Sequence, residues 1–69
     1  DATTILNAAN ETAVGAFLSS RIKFTQISEI VRETLSNSVF SNLETLEEVE
    51  ESDSRARSIS SKIIEAIVK

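Results

Sequence analysis

The sequence predicts a small all-α bundle, and three observations carry that prediction. Its 69 residues include no Pro and a single Gly, too few turn-formers for the many tight connections of a β-sandwich. Val, Ile, Leu and Phe recur along the whole chain, which argues against disorder. They also recur at steps of three and four rather than two, the period of helices with one buried face. The expected architecture is three helices, or four elements if the last helix breaks near Ser52 and Asp53. A chain of this length is one domain or a piece of one. It buries only about 60% of the surface that its unfolded form exposes.

The first helix is expected over residues 4–20. Leu6, Ala9, Ala13 and Phe17 form its inward stripe, widened by Val14 and Leu18. Phe17 reads as its most central large side chain. Ala9, Ala13 and Ala16 allow another helix to come close. Thr3 or Thr4 is a candidate N-cap with Asp1 near the positive helix end, and Asn7 is a second candidate one turn later. Gly15 lies mid-helix, where it costs about 1 kcal/mol relative to Ala. It fits either a close packing contact or an open surface.

The connection Arg21-Ile22-Lys23-Phe24 is expected to plug Ile22 and Phe24 into the core. Thr25 then caps a second helix over residues 26–36, with Phe24 as an apolar anchor ahead of it. Ile27, Ile30, Val31 and Leu35 give that helix its inward face, and Glu29 and Arg32 point outward. Ser36-Asn37-Ser38 and Ser41-Asn42 read as loop, because short polar side chains compete for backbone hydrogen bonds. Val39 and Phe40 pin the loop to the core.

Thr45-Leu46-Glu47-Glu48 matches a capping box that opens the third helix. Leu46, Val49, Ala56, Ile59, Ile63 and Ile67 share one face. Ser52 or Asp53 falls on a core-facing step between Val49 and Ala56. That predicts an interruption after about Glu51 with Ser52 or Asp53 as a new cap, and an unbroken helix is the alternative. The expected core comprises Leu6, Ala13, Phe17, Ile27, Ile30, Val31, Leu46, Ile59 and Ile63.

Chemistry is sparse. The absence of Cys excludes disulfides and thiolate metal sites, and the absence of His removes the usual general base and zinc ligand. A net charge of −4 speaks against a nucleic-acid footprint. No apolar run reaches the roughly 18 residues of a membrane span. The N-terminus is acidic and polar, unlike a signal peptide, so a cytoplasmic setting is expected. Without an initiator Met the chain reads as an excised fragment.

Glu44, Glu47, Glu48, Glu50, Glu51 and Asp53 form an acidic run. It is read as a solvated helix start with Glu51–Arg55 and Asp53–Arg57 pairs at i,i+4, since a calcium loop would need alternating Asp or Asn around a Gly. Asn7, Asn10 and Glu11 cluster at one end of the first helix and are read as capping and tying groups, not as a ligand grip. Asp53-Ser54 is like the carrier-protein phosphopantetheine site, but Arg55 replaces the expected Leu and only 15 residues follow Ser54. No catalytic, cofactor-binding or metal-ligating residue is assigned.

One resemblance covers nearly the whole chain. Leu6-Asn7-Ala8-Ala9-Asn10-Glu11, then Ala13-Val14 and Ala16-Phe17-Leu18, resembles the Leu-Asn-Ala-Ala-Asn-Glu signature of the C-terminal domain of 1-deoxy-D-xylulose 5-phosphate reductoisomerases. Ile22-Lys23-Phe24 with Ile27 is similar to the family's Ile-x-Phe-x-Asp-Ile. Leu46-Glu47-Glu48-Val49 and Asp53-Ser54-Arg55-Ala56-Arg57 resemble its Leu-Glu-Asp-Ile and Asp-x-x-Ala-Arg. The departures are Thr12, Gly15, Gln26, Glu50 and Ser52. Gly15 stands where Ala or Glu is usual, which favours the open-surface reading.

The resemblance implies a parent oxidoreductase of the non-mevalonate isoprenoid pathway. That enzyme makes 2-C-methyl-D-erythritol 4-phosphate with NADPH and a divalent cation (Mg, Mn or Co). A Rossmann-type domain and a central acidic domain hold those groups, and neither domain is present here. This segment would be part of a four-helix-bundle C-terminal domain, lacking its first helix and inactive by itself. Its partners would be the remaining domains of the parent, or a second copy on the uncovered apolar side. The setting would be bacterial cytoplasm, or a plastid in a plant or alga. The alternative is an independent acidic helical module for protein–protein interaction.

Overall fold

A computed structural model describes residues 2–38 and 45–68. Among the described residues there are three helices: α1 over Ala2–Leu18, α2 over Gln26–Ser36 and α3 over Leu46–Val68. The expected roles of Asp1, Val39, Phe40, the Ser41-Asn42 loop and Glu44 lie outside the described residues.

The core has two apolar clusters. One gathers Ala13, Ala16, Ile22, Ile30 and Ile64, with Phe17, Ile27, Ile63 and Ile67 packed on it. The other gathers Ile5, Ala8 and Ala56, with Leu35 beside them. Read along the chain, these memberships fix the directions. The start of α1 meets the end of α2 and the first half of α3, and the end of α1 meets the start of α2 and the second half of α3. The helices therefore run up, down, up, with α1 and α3 parallel.

Burial on α1 falls on Ile5, Ala8, Ala9, Ala13 and Ala16. This corrects the expected stripe by about one residue. Leu6 is 45% exposed and Leu18 75% exposed. Phe17 is half-buried, and Ile5 is the large buried side chain of α1 instead. The physical reason is α1's position against both other helices. Alanines let two neighbours approach at once, so the alanine face wins over the face with the larger residues. Thr3, Thr4 and Asn7 lie inside α1, which already includes Ala2, so the helix starts before the expected residue 4.

α1 ends without glycine. Ser20 adopts φ 62°. Its N–H donates to Phe17 O at 2.9 Å, and the Arg21 N–H donates to Ala16 O at 2.9 Å. These are the paired bonds of a Schellman stop, with Ser20 in the left-handed position that Gly usually fills. The helix accordingly closes two residues before the expected end.

Ile22 is buried as expected, but Phe24 is 70% exposed and so does not plug the core. Its ring meets Phe17 edge-on at a centroid distance of 5.6 Å. The span of α2 agrees with the expected 26–36. Thr25 precedes it but makes no side-chain cap bond. Gln26 instead ties the incoming loop to the helix start, its side-chain oxygen accepting the Lys23 N–H at 2.7 Å. At the far end Asn37 Nδ2 donates to Glu33 O at 2.8 Å, and the Ser38 hydroxyl donates to Thr34 O at 2.6 Å. Short polar side chains thus cover the last open carbonyls, as a helix end requires.

α3 is one continuous helix of 23 residues, which overturns the expected break near Ser52 and Asp53. Two side-chain pairs one turn apart span the suspected break, Glu51 with Arg55 and Asp53 with Arg57. They support the helical turn where core contact is thin. Thr45 caps α3, its hydroxyl accepting the Glu48 N–H at 3.1 Å. Leu46 is 73% exposed, contrary to its expected core place. The buried line is Ala56, Ser60 and Ile64, while Ile59 and Ile63 are half-buried on its shoulder.

Between the two apolar clusters lies a polar contact. Thr34 and Ser60 are both fully buried. Their hydroxyl oxygens are 2.9 Å apart, joining α2 to α3.

Candidate functional site

The outer face of α2 carries an open concavity. Phe24, Ile27, Val31 and Leu35 step along it at three or four residues, Asn10 of α1 forms the opposite rim, and Arg32 stands at the edge. The groove has a volume of about 780 Å³ and opens widely to solvent. Ile27, Val31 and Leu35 are half-buried and Phe24 is exposed, so the inner edge of the stripe serves the core and the outer edge is uncovered. One 11-residue helix therefore has two apolar sides, one used within the chain and one not. An apolar, concave and continuous surface of this kind suits a packed protein segment better than a reaction.

A second trough between α2 and α3 is lined by Glu33, Asn37, Ile59, Lys62, Ile63, Ala66 and Ile67, with a volume of about 550 Å³. Apolar residues line one side and a mixed-charge rim the other.

The polar residues singled out in the sequence do not converge on a reaction centre. Glu11 lies within 3.4 Å of Arg57 Nη2, a contact between α1 and α3. Arg57 Nε also donates to Asp53 at 2.8 Å. The hydrogen bond with Asp53 raises the Arg57 pKa above its ordinary value. Partial desolvation opposes that effect, and the charges of Asp53 and Glu11 add to it. The result is a guanidinium clamp that ties the two parallel helices. Asn7 is exposed, and Asn10 sits on the groove rim away from this clamp. Glu47, Glu48 and Glu50 are exposed along the first turns of α3, where acids complement the helix dipole. Ser54 is exposed as well.

Among the described residues, no group of three His, Cys, Asp or Glu side chains is placed to hold a metal ion. None of the described helices is long and apolar enough to cross a membrane. The single Gly, Gly15, lies inside α1, so no glycine-rich phosphate turn exists to receive a dinucleotide. A Cβ placed at Gly15 would touch nothing within 4 Å, so the glycine faces open space.

Two features escaped the sequence reading. The Glu11–Arg57 link joins residues 46 apart, and no local pattern announces it. The Thr34–Ser60 contact did leave a trace. Thr34 follows Ile30 by four, and Ser60 lies midway between Ala56 and Ile64 at the same spacing, so both occupy inward positions.

Fold and surface together define a class: a small helical domain, three helices among the described residues, with an apolar groove open on one side. The comparisons with known proteins then fix the family. A family model described as "DXP reductoisomerase C-terminal domain" matches residues 1–59, and the chain belongs to that family. It is similar to the 1-deoxy-D-xylulose 5-phosphate reductoisomerase of Psychromonas ingrahamii, with 52% identity over 62 residues and 90% of this chain. It is also similar to that of Desulforamulus reducens, at 51% over 91% of this chain, and that of Pseudomonas aeruginosa, at 45% over 84%. The chain spans about 16% of the length of the first two of these relatives.

Proposed function

We propose that this chain is the structural C-terminal domain of an NADPH-dependent 1-deoxy-D-xylulose 5-phosphate reductoisomerase in bacterial cytoplasm. The parent forms 2-C-methyl-D-erythritol 4-phosphate in non-mevalonate isoprenoid biosynthesis. The family match over residues 1–59 is the observation that carries this reading. The residues present do not fit NADPH or a divalent cation: there is no glycine-rich turn, and no acidic trio exists among the described residues. Both groups are therefore assigned to the parent's other domains, and no chemical step passes through this one.

Its role is to brace those domains. The uncovered stripe of Phe24, Ile27, Val31 and Leu35 is the surface on which they rest. In the isolated chain, a second copy covers the same stripe.

Two experiments test this. The isolated chain, mixed with the xylulose phosphate, NADPH and a divalent metal, leaves the absorbance of reduced nicotinamide unchanged. Protein-dependent NADPH oxidation that survives re-purification overturns the non-catalytic assignment. In the full-length parent, Ile27→Asp with Val31→Asp lowers activity and the yield of soluble enzyme. A parent indistinguishable from the unsubstituted enzyme overturns the bracing surface.

A further inference from the structure

We propose that the buried Thr34–Ser60 hydroxyl pair is a register key, which fixes the height of α2 against α3 and so the height of the groove wall that α2 forms. The Thr34 hydroxyl lies 2.8 Å from Ile30 O, one turn back on α2. The Ser60 hydroxyl lies 2.8 Å from Ala56 O, one turn back on α3. The two hydroxyl oxygens are 2.9 Å apart, and either can donate. Three short contacts thus share two protons. Either Thr34 donates to Ser60 while Ser60 donates to Ala56 O, or Ser60 donates to Thr34 while Thr34 donates to Ile30 O. Neither arrangement leaves a hydroxyl without a partner.

That degeneracy says what the pair is for. Each hydroxyl is already satisfied within its own helix, so separating the two orphans neither. Removing the contact therefore carries little of the penalty that buried polar groups usually impose. What the contact adds is position, because the hydroxyls meet at one height only. They sit between the Ile5–Ala8–Ala56 cluster and the Ala13–Ile30–Ile64 cluster. Without them, the face of α3 from Ala56 to Ile64 is an unbroken apolar line at a spacing of four. Such a line reads much the same one turn up or down. A single polar layer that specifies alignment within an otherwise apolar helical core is an established use of buried polar groups.

The test is disulfide trapping in the 69-residue chain, which has no cysteine of its own. Glu33→Cys on α2 is combined in turn with Ser58→Cys, Lys62→Cys or Ala66→Cys on α3. Glu33, Lys62 and Ala66 line the same trough, and since α2 and α3 run antiparallel, the Thr34–Ser60 contact puts Glu33 nearest the height of Lys62. The native background is expected to cross-link strongly through position 62 and weakly through the positions one turn away. In the Thr34→Val, Ser60→Ala background, the shifted cross-links are expected to rise several-fold while helix content by circular dichroism is retained. Thr34→Ser, which keeps the hydroxyl, is expected to keep the single register. An unchanged cross-linking pattern in the double variant overturns the proposal. Loss of helix content in the double variant overturns it too, since the pair would then be a stabiliser and not a key.

Discussion

The two sides of α1 differ in how they are closed. Toward α3 it packs Ile5 and Ala8 with Ala56, and the exposed Glu11–Arg57 pair lies across the same seam. Toward α2, Ala13 and Ala16 share a cluster with Ile22 and Ile30, which also takes in Ile64 of α3, and past that contact the surface opens into the groove of Phe24, Ile27, Val31 and Leu35. The closed side uses small residues and close approach, and the open side leaves large residues half-covered. Close approach is therefore concentrated where side chains are smallest, and interaction surface where large ones are left half-covered.

Substitutions at the centre should break this contrast most severely. Ile30 is fully buried in the main cluster. Ile30→Ala is expected to cost about 2–5 kcal/mol by urea denaturation, enough to unfold much of so small a domain. A cost below about 1 kcal/mol would mean the open side is as soft inside as it is outside. Next comes the close approach itself. Ala9→Leu adds bulk at a fully buried position on α1 and is expected to cost about 1–3 kcal/mol by the same measurement. The groove should respond the other way. Val31→Ser is expected to change stability by less than Ile30→Ala, while reducing concentration-dependent self-association measured by light scattering. An equal loss of stability at both positions would erase the distinction between used and unused sides of α2.

The smallest effects concern backbone strain and exposed charge. Ser20→Gly is expected to stabilise by up to about 1 kcal/mol, because the left-handed conformation is costly for a side chain bearing Cβ. Asp53→Ala tests whether Asp53 is a cap. In a continuous α3 it removes only its partly exposed pair with Arg57, so a loss of under about 1 kcal/mol is expected, and smaller still in high salt. A larger, salt-independent loss would revive the interrupted helix.

How much of this was legible in the sequence depends on whether local chemistry or tertiary competition decided it. The bounds of α2 agreed with expectation because a clear amphipathic repeat lies between the Phe24–Thr25 entry and the Ser-Asn-Ser exit. The buried face of α1 was misread by one residue. Periodicity alone prefers Leu6 and Phe17, and only the presence of two neighbours at once selects the alanines. The break in α3 was inferred from polar residues on an inward step, and the ion pairs that carry the helix through it have the same spacing as many surface pairs that matter little. Ser20 gave no sign of a left-handed stop, since Gly or Asn is the usual marker. An uncovered apolar side was expected from the family's missing first helix, whereas a groove along α2 could be read only from the packed helices.

The parallel pairing of α1 and α3 has a kinetic consequence. Ile5 and Ala56 meet across 50 intervening residues, whereas Ala16 and Ile22 meet across five. Closing the longer loop costs more chain entropy, so the hairpin of α1 and α2 is expected to form before α3 docks. Under that order, substitutions at Ala8 or Ala56 should speed unfolding and leave refolding nearly unchanged, while Ile30→Ala should slow refolding in stopped-flow measurements. Equal effects on both rates at Ala56 would place α3 in the folding nucleus instead. A chain whose most tightly fitted seam closes last spends its folding time with α3 undocked, when a neighbouring surface has its best opportunity to engage it.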